Sequence, residues 1–288
     1  MHTVSVIIPT YDRAHSIKAC VVSVLNQTRA ANEVIVVDDG SRDGTWKELH
    51  GLGFTPSSEK SNKLRYIQKT HGGVSSARNL GIKSARYEYL AFLDSDDSWK
   101  KDKLENQFRS LKTDGFSCRI SHTNEIWIRN GIRVNPMKKH RKSGGNLFTK
   151  CLKICCISPS STLVHSTVFD DIGFFDETLM VCEDYDFWLR FCSNEMVHFL
   201  PEALTIKTGG HMDQLSKSHW GMDRFRIYSI EKLLRENNLC RPFYEAALDE
   251  LLNKLRVVLN GAIKRNKTYL AAELTIKKSF YEKLKQNV

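Results

Sequence analysis

Three runs of apolar residues in the first hundred positions have the length of β-strands, and each one leads into a polar cluster. The runs read "VSVIIPT", "EVIVVDDGS" and "YLAFLDSDD". They are apolar on both faces, which is typical of parallel strands that helices cover on both sides. Between the first two runs, Ile17, Val21, Val24 and Leu25 have the spacing of one helical face. The pattern predicts a βαβαβ unit within a doubly wound, mostly parallel α/β sheet.

Two more helices are predicted on either side of the third run. "GGVSSARNLGIKSAR" predicts a helix that follows a glycine turn, with Ser75 or Ser76 as its N-cap. "WKKDKLENQFRSL" predicts a helix after the third run, and Asp97 or Ser98 could cap it.

The pattern changes from about residue 116 to shorter, mixed segments. "CRISHTNEIWIRNGIRV" predicts a β-hairpin with Asn130 and Gly131 in its turn, and "CEDYDFWLR" has helical spacing. The last segments predict amphipathic helices with a basic bias. The predicted division is a domain of residues 1–220 in two halves (1–115 and 116–220), followed by a basic helical region (221–288).

The polar clusters occupy equivalent places, because each follows the carboxyl end of a predicted strand. Open α/β sheets bind ligands in the crevice outside these ends. Three clusters at three strand ends therefore predict a ligand site. The clusters are Thr10-Tyr11-Asp12, Asp38-Asp39-Gly40-Ser41 and Asp94-Ser95-Asp96-Asp97.

Asp94 and Asp96 place two carboxylates at alternate positions just past a buried strand. Magnesium and manganese prefer such oxygen ligands, together with phosphate oxygens. Helix capping would need only one acidic residue. Asp39 either forms a turn or binds a ribose hydroxyl. Arg78 either binds a diphosphate together with the helix N-terminus or lies in a helix that follows an ordinary glycine turn. No GxGxxG sequence follows the first strand, which argues against an NAD enzyme.

A second acidic group lies in "VCEDYDFWLR". Glu183 and Asp184 could supply a general base, and the alternative is a polar helix start. For Trp188 we favour a place in the core. His211 follows a glycine pair, and isolated histidines are more often structural than functional.

The net charge of +10 is compatible with nucleic acid, anionic lipid or phosphorylated small molecules as partners. The one dense basic run, "MKKHRK", is followed by Ser-Gly-Gly and is interpreted as a solvated loop. We therefore predict no nucleic-acid partner. The eight cysteines lack paired CxxC spacing, which favours free thiols in a reducing compartment. Without a signal-peptide pattern or an apolar run of about 20 residues, we expect a cytoplasmic protein, with peripheral contact at the inner membrane face left open.

Four motifs in order, "VSVIIPTYDRAHSI", "EVIVVDDGSRDGT", "GGVSSARNLGIKSARYEYLAFLDSDDSW" and "CEDYDFWLR", resemble those of family-2 inverting glycosyltransferases of the GT-A fold. The resemblance covers roughly residues 3–215. It implies that 1–220 is a GT-A domain with a nucleotide-binding half (1–115) and an acceptor or catalytic half (116–220). It implies transfer of a sugar from a nucleoside-diphosphate donor to an acceptor hydroxyl, with Mn²⁺ or Mg²⁺ as cofactor. A UDP-sugar is the favoured donor, and guanosine or thymidine forms stay open.

The resemblance also implies roles for individual residues. It assigns the nucleobase and ribose to Pro9, Thr10, Tyr11 and Asp39, and the diphosphate to Arg78. It assigns the donor and metal to Asp94, Ser95 and Asp96, with Asp96 as the better metal ligand. It assigns the base to Asp184, with Glu183 as runner-up, and the rest of the metal shell to His211.

Two departures refine this expectation. The QxxRW motif of processive members is absent, which favours addition of a single sugar over polymer synthesis. The resemblance implies a glycan or lipid-linked acceptor and a place in cell-surface polysaccharide or other glycan biosynthesis. Lys207 stands in the segment where relatives usually carry an arginine. The competing interpretations are a nucleotidyltransferase and a non-enzymatic basic adaptor for RNA or a membrane surface. We expect the C-terminal helices to pack on the catalytic domain or form a homodimer, and contact with anionic lipid stays open.

Overall fold

The computed structural model describes residues 2–56, 63–210, 219–236 and 239–287. Among these residues, ten strands join in one sheet. The strands are β1 (Val4–Thr10), β2 (Glu33–Asp38), β3 (Thr55–Pro56), β4 (Leu64–Gln68), β5 (Tyr89–Phe92), β6 (Ser98–Trp99), β7 (Ile120–Arg129), β8 (Ile132–Val134), β9 (Thr162–His165) and β10 (His198–Gly209).

The same described residues form ten α-helices and two 3-10 turns, the turns at Lys138–His140 and Pro159–Ser161. The helices are α1 (Ile17–Leu25), α2 (Thr45–His50), α3 (Val74–Ser84), α4 (Lys103–Thr113), α5 (Phe148–Lys153), α6 (Val168–Asp171), α7 (Glu183–Cys192), α8 (Asp223–Glu236), α9 (Arg241–Lys264) and α10 (Thr268–Gln286).

The sheet has the order β3-β4-β2-β1-β5-β9-β7-β10-β6, with β8 paired to β7. β1 lies between β2 and β5 and runs parallel to both, so that Ile7 pairs with Ile35 on one side and Phe92 on the other. The chain builds outward from β1 first through β2 and then through β5. The strand order therefore reverses between β1 and β5, which is where doubly wound sheets bind their ligands. The predicted α/β fold is confirmed.

The second half of the sheet is mixed, because β9 runs antiparallel to both β5 and β7. The predicted hairpin is present as β7 and β8, and Asn130 and Gly131 in its turn have φ of 49° and 76°. Positive φ at both positions is what a type I′ turn requires. The alternative role of Asp97 or Ser98, helix capping, is wrong. Ser98 instead starts β6, which pairs with β10, and α4 begins only after Asp102.

Helices cover both faces of the sheet, as the two-sided apolar runs predicted. Alternate residues of β1 point to opposite faces, so that Val6 belongs to the cluster beneath α1 and α4 whereas Ile7 belongs to the larger cluster on the other face. The predicted inward face of α1 is correct except at its end. Leu25 is 38% exposed, and Cys20 is buried in its place.

The C-terminal helices share the larger core with α5 and α7. Ile230, Leu251 and Leu255 are buried in the same cluster as Trp188, whose predicted place in the core is confirmed. Burial of such side chains is the main favourable term in helix docking. Within the described ranges, none of the helices combines the length and apolarity that a bilayer crossing needs.

Gly81 lies where α3 crosses β1, and a β-carbon there would overlap the Ile7 side chain. We predict that Gly81→Ala lowers the free energy of unfolding by about 1–3 kcal/mol, because overpacking outweighs the better helix propensity of alanine. Gly261→Ala in α9 is the matched control, since its β-carbon would meet only the mobile end of Arg265 at 3.0 Å. Urea unfolding should show no loss for the control. Equal stability of both variants would contradict this packing account.

Candidate active site

The end of β1 carries two of the predicted nucleotide-binding residues in contrasting environments. Pro9 and Thr10 are buried, and the Thr10 hydroxyl has no hydrogen-bond partner among the described residues. Tyr11 is exposed, and its ring lies 4.3 Å from that of His71, centroid to centroid. A buried hydroxyl beside an exposed aromatic ring is suited to a flat ligand with polar edges.

Asp39 organises the amino end of α3. Its carboxylate accepts hydrogen bonds from the backbone N–H groups of Gly72 (2.9 Å) and Gly73 (2.7 Å) and from the Lys69 ammonium (2.7 Å). A carboxylate at a helix N-terminus pairs with the positive end of the helix dipole. The predicted capping by Ser75 or Ser76 is wrong, because Gly73, with φ of 90°, precedes the helix and both serines lie inside it.

Arg78 connects the loop after β5, residues 94–97, with the start of α7. We call this loop the acidic loop. The Arg78 guanidinium donates to the Asp94 carboxylate at 2.7 Å and to the Glu183 carboxylate at 2.6 Å. Burial would lower the pKa of Arg78, but Asp94 and Glu183 raise it above its ordinary value. Arg78 therefore stays charged, and the structure brings together two motifs that are far apart in the sequence. The predicted diphosphate contact of Arg78 stays a prediction.

A second cation, Lys207 of β10, lies against the acidic loop. The Lys207 ammonium lies 2.8 Å from Asp97, 3.7 Å from Asp94 and 3.0 Å from the Ser158 hydroxyl. Burial would lower the pKa of Lys207, but the two aspartates raise it. Burial alone would raise the pKa of Asp94, yet Arg78 and Lys207 together hold it below its usual range.

Asp97 anchors this loop to β10. Its carboxylate accepts hydrogen bonds from the Ser160 hydroxyl (2.6 Å) and the Thr208 backbone N–H (3.0 Å), in addition to Lys207. Burial raises the pKa of Asp97 to about 7, against the opposing charge of Lys207. Ser95 is also buried, whereas Asp96 is partly exposed. Asp97 is thus a buried structural carboxylate, which its position in "DSDD" did not reveal.

Glu183 and Asp184 lie at the start of α7 but have different partners. Cys182, in the left-handed conformation with φ of 64°, turns the chain into this helix. Burial raises the pKa of Glu183 to about 7, although Arg78 opposes the shift. Asp184 is partly exposed and pairs with no cation of the described residues. It accepts hydrogen bonds from the Cys155 thiol at 3.1 Å and from the Tyr185 backbone N–H at 2.7 Å.

Cys155 is a contact of the site that sequence analysis missed. Its thiol lies against the candidate base because residues 154–158 pass beside the start of α7, and no local sequence signal marks that approach. Burial and the Asp184 charge raise the pKa of the Cys155 thiol, which keeps it protonated as a donor. All eight cysteines are free, as their spacing predicted.

Of the two predicted metal ligands, Asp96 and His211, the structure describes only Asp96. His211 lies outside the described residues. Asp96 follows Asp94 in the acidic loop, and their carboxylate oxygens are of the type that Mg²⁺ and Mn²⁺ prefer. In the described part of the chain no three histidine, cysteine, aspartate or glutamate side chains are grouped to hold a metal. One or two carboxylates fit an ion that also takes phosphate oxygens from a nucleotide.

The sheet is doubly wound, and the acidic loop lies where its strand order reverses. One arginine joins this loop to a second pair of carboxylates, Glu183 and Asp184. Together these features define an enzyme of the GT-A glycosyltransferase class. Comparison with known families agrees. A model described as glycosyl transferase family 2 matches residues 5–173, and the chain belongs to that family.

Relatives by sequence extend the match into the C-terminal region. An uncharacterized glycosyltransferase of Rickettsia conorii is 30% identical over 292 aligned residues, which cover 96% of this chain but 44% of that longer protein. The chain thus spans less than half the length of this relative. The Escherichia coli UDP-Glc:alpha-D-GlcNAc-diphosphoundecaprenol beta-1,3-glucosyltransferase WfgD is 33% identical, covering 84% of this chain and 90% of the relative. WfaP, a second Escherichia coli protein named for the same glucosyltransferase activity, is 26% identical, and the alignment covers 93% of this chain and 98% of WfaP.

Solved structures agree on the fold. The Staphylococcus aureus TarS fragment 1-349 matches with a TM-score of 0.66 at 24% identity, covering 88% of this chain and 71% of that one. The Pyrobaculum calidifontis mannosyltransferase PcManGT, in complex with GDP-Man and Mn²⁺, matches with a TM-score of 0.61 at 16% identity and covers 99% of this chain and 83% of that one.

The pKa of Glu183 gives a prediction about stability and pH. Because its folded-state pKa of about 7 lies above the ordinary value of 4.5, the folded protein binds more protons than the unfolded chain between those values. Stability that is present below pH 4.5 is therefore lost as the pH rises through 7. We expect the free energy of unfolding of wild type, relative to Glu183→Gln, to fall by roughly 1–3 kcal/mol across this window.

Denaturant unfolding of both proteins at pH 4.5, 5.5, 6.5 and 7.5 measures this difference. If the free energy of unfolding of wild type instead rises with pH relative to that of Glu183→Gln, the prediction is wrong. The attraction of Arg78 would then outweigh burial at Glu183.

Proposed function

We propose that this enzyme transfers a single sugar from a nucleoside-diphosphate sugar to an acceptor hydroxyl, with inversion and with a divalent metal ion. The observation that carries the proposal is the paired contact of Arg78 with Asp94 and Glu183. One buried guanidinium keeps the acidic loop and the second carboxylate pair at the same crevice, as a reaction between a bound donor and a deprotonated acceptor requires.

The nucleoside of the donor is assigned to the end of β1 and to Asp39. The unpartnered Thr10 hydroxyl and the exposed Tyr11 ring support this assignment. A UDP-sugar is the donor that we favour, and TarS, a structural neighbour, has been solved with UDP-GlcNAc. The acceptor that we favour is a lipid-linked sugar of the kind named for WfaP and WfgD, within polysaccharide biosynthesis.

We assign Mn²⁺ or Mg²⁺ to Asp96, with Asp94 beside it and His211 as a further ligand. Arg78 and Lys207 already compensate the charge of Asp94, which makes Asp96 the better ligand. A bound divalent ion would stabilise the negative charge that develops on the leaving diphosphate. Arg78 and Lys207 reinforce that stabilisation, since both cations lie next to the acidic loop.

Asp184 is the general base that we favour. Glu183 is buried, and its carboxylate accepts a hydrogen bond from Arg78 at 2.6 Å, which leaves it less accessible to an acceptor hydroxyl than Asp184. Asp184 instead accepts a hydrogen bond from a neutral thiol, which orients the carboxylate without neutralising its charge. It can take the proton of the acceptor hydroxyl as the oxygen attacks the anomeric carbon.

We predict that Asp184→Asn transfers sugar about 10²–10⁴-fold more slowly than wild type, because the amide keeps the shape of the side chain but cannot accept the proton. Its affinity for the donor should stay within twofold of the wild-type value. Release of nucleoside diphosphate from a donor panel, with a GlcNAc-diphospholipid analogue as acceptor, measures the rate.

Glu183→Gln is the comparison variant. If it transfers no sugar while Asp184→Asn is fully active, Glu183 is the base. Wild-type rates in both variants would refute the mechanism.

A further inference from the structure

The turn between α9 and α10 exposes seven consecutive residues, 263–269, which we call the tip. Two of them are large and apolar or aromatic: Ile263 is 57% exposed and Tyr269 is 94% exposed. Lys264, Arg265 and Lys267 lie between them. The tip is thus a basic turn with an exposed apolar or aromatic side chain at each end.

The tip lies in a stretch with positive charge only. No aspartate or glutamate occurs between Glu250 and Glu273. Lys254 in this stretch is buried and paired with Glu250 at 3.0 Å. Arg256 and the three tip cations are exposed, and no carboxylate of the described residues pairs with them. Their charge is therefore available to an anionic partner.

An apolar stripe continues from the tip along α10. Tyr269, Ile276 and Phe280 lie within about 40° of one another around the helix, from the 3.6-residue repeat. Ile276 is 73% exposed and Phe280 is also exposed. The other face of α10, with Leu274, is buried in the core. The helix thus has two apolar faces, only one of which the fold covers.

Trp220 joins the tip to the candidate active site. Its exposed ring lies 4.2 Å from the Lys267 ammonium and 3.9 Å from the Arg224 guanidinium carbon. Two residues further on, the Met222 carbonyl lies 3.9 Å from the thiol of Cys182, which directly precedes Glu183. The chain segment that carries Trp220 therefore also contacts the residue that precedes α7.

We propose that the tip, the α10 stripe and Trp220 form a surface that docks on an anionic lipid bilayer. Exposed tryptophan and tyrosine next to lysine and arginine are the side chains that settle at a membrane interface, with the rings among the headgroups and the cations on anionic lipid. A second copy of the chain fits this surface less well. A symmetric dimer through the tip would place its cations against the same cations of the partner copy.

The proposal goes beyond the assigned reaction, and the binding test itself needs neither donor nor acceptor. The tip variant carries Lys264→Gln, Arg265→Gln and Lys267→Gln. The matched control carries Lys138→Gln, Lys139→Gln and Arg141→Gln, which removes the same charge from the exposed "MKKHRK" segment. A third variant, Tyr269→Ser with Ile276→Ser, removes apolar contacts at exposed positions.

Flotation with phosphatidylcholine vesicles that contain phosphatidylglycerol should recover wild type and the control with the lipid, and neither with phosphatidylcholine alone. The tip variant should partition about a hundredfold less, from the contribution of each basic residue near an anionic surface. The Tyr269→Ser, Ile276→Ser variant should also lose binding, and added salt should weaken binding of wild type.

Absence of wild type from the floated fraction would overturn the proposal. Equal losses in the tip and control variants would also overturn it, since net charge alone would then explain binding. Light scattering that finds a wild-type dimer which Tyr269→Ser with Ile276→Ser dissociates would assign the surface to self-association instead. A tip variant that releases nucleotide from the donor at the wild-type rate would show that its site is intact, so that failure of docking and failure of the proposed reaction are distinguishable.

Discussion

The buried guanidinium of Arg78 is the interaction on which the candidate site depends. Arg78 belongs to α3, and its guanidinium pairs with Asp94 after β5 and with Glu183 at the start of α7. Each of these carboxylates is costly to hold away from water without a partner. The arginine therefore holds the acidic loop against the start of α7 and compensates the charge of both carboxylates. Lys207 and Asp97 form a second pair on the other side of Asp94 and tie the same loop to β10.

This arrangement leaves the carboxylates of the site with different roles. Asp97 and Glu183 are buried and held by cations, and Asp39 holds the amino end of α3. Asp94, Asp96 and Asp184 are partly exposed, and Arg78 and Lys207 already compensate the charge of Asp94. An acidic loop whose buried members are already compensated can take a metal ion and a diphosphate without a large repulsion among its own charges.

The sequence was sufficient for the features that depend on local pattern. Two-sided apolar runs identified β1, β2 and β5, and Asn130-Gly131 identified the hairpin, because periodicity and turn chemistry are local. The N-caps were wrong because tertiary contacts decided them. Asp39, more than thirty residues away, holds the amino end of α3, and pairing with β10 draws Ser98 into a strand. Cys155 and Lys207 reach the site through contacts over 29 and 110 residues of chain, which no local pattern encodes.

The central claim is that a nucleoside diphosphate and a divalent ion bind together at the crevice between β1 and β5. Calorimetric titration of UDP into the wild-type protein, in Mn²⁺ and in EDTA, tests it most directly. The account predicts at least tenfold tighter binding in Mn²⁺, and it predicts that Asp96→Ala abolishes this difference while leaving the EDTA affinity unchanged. The same affinity for UDP in Mn²⁺ and in EDTA would contradict the account.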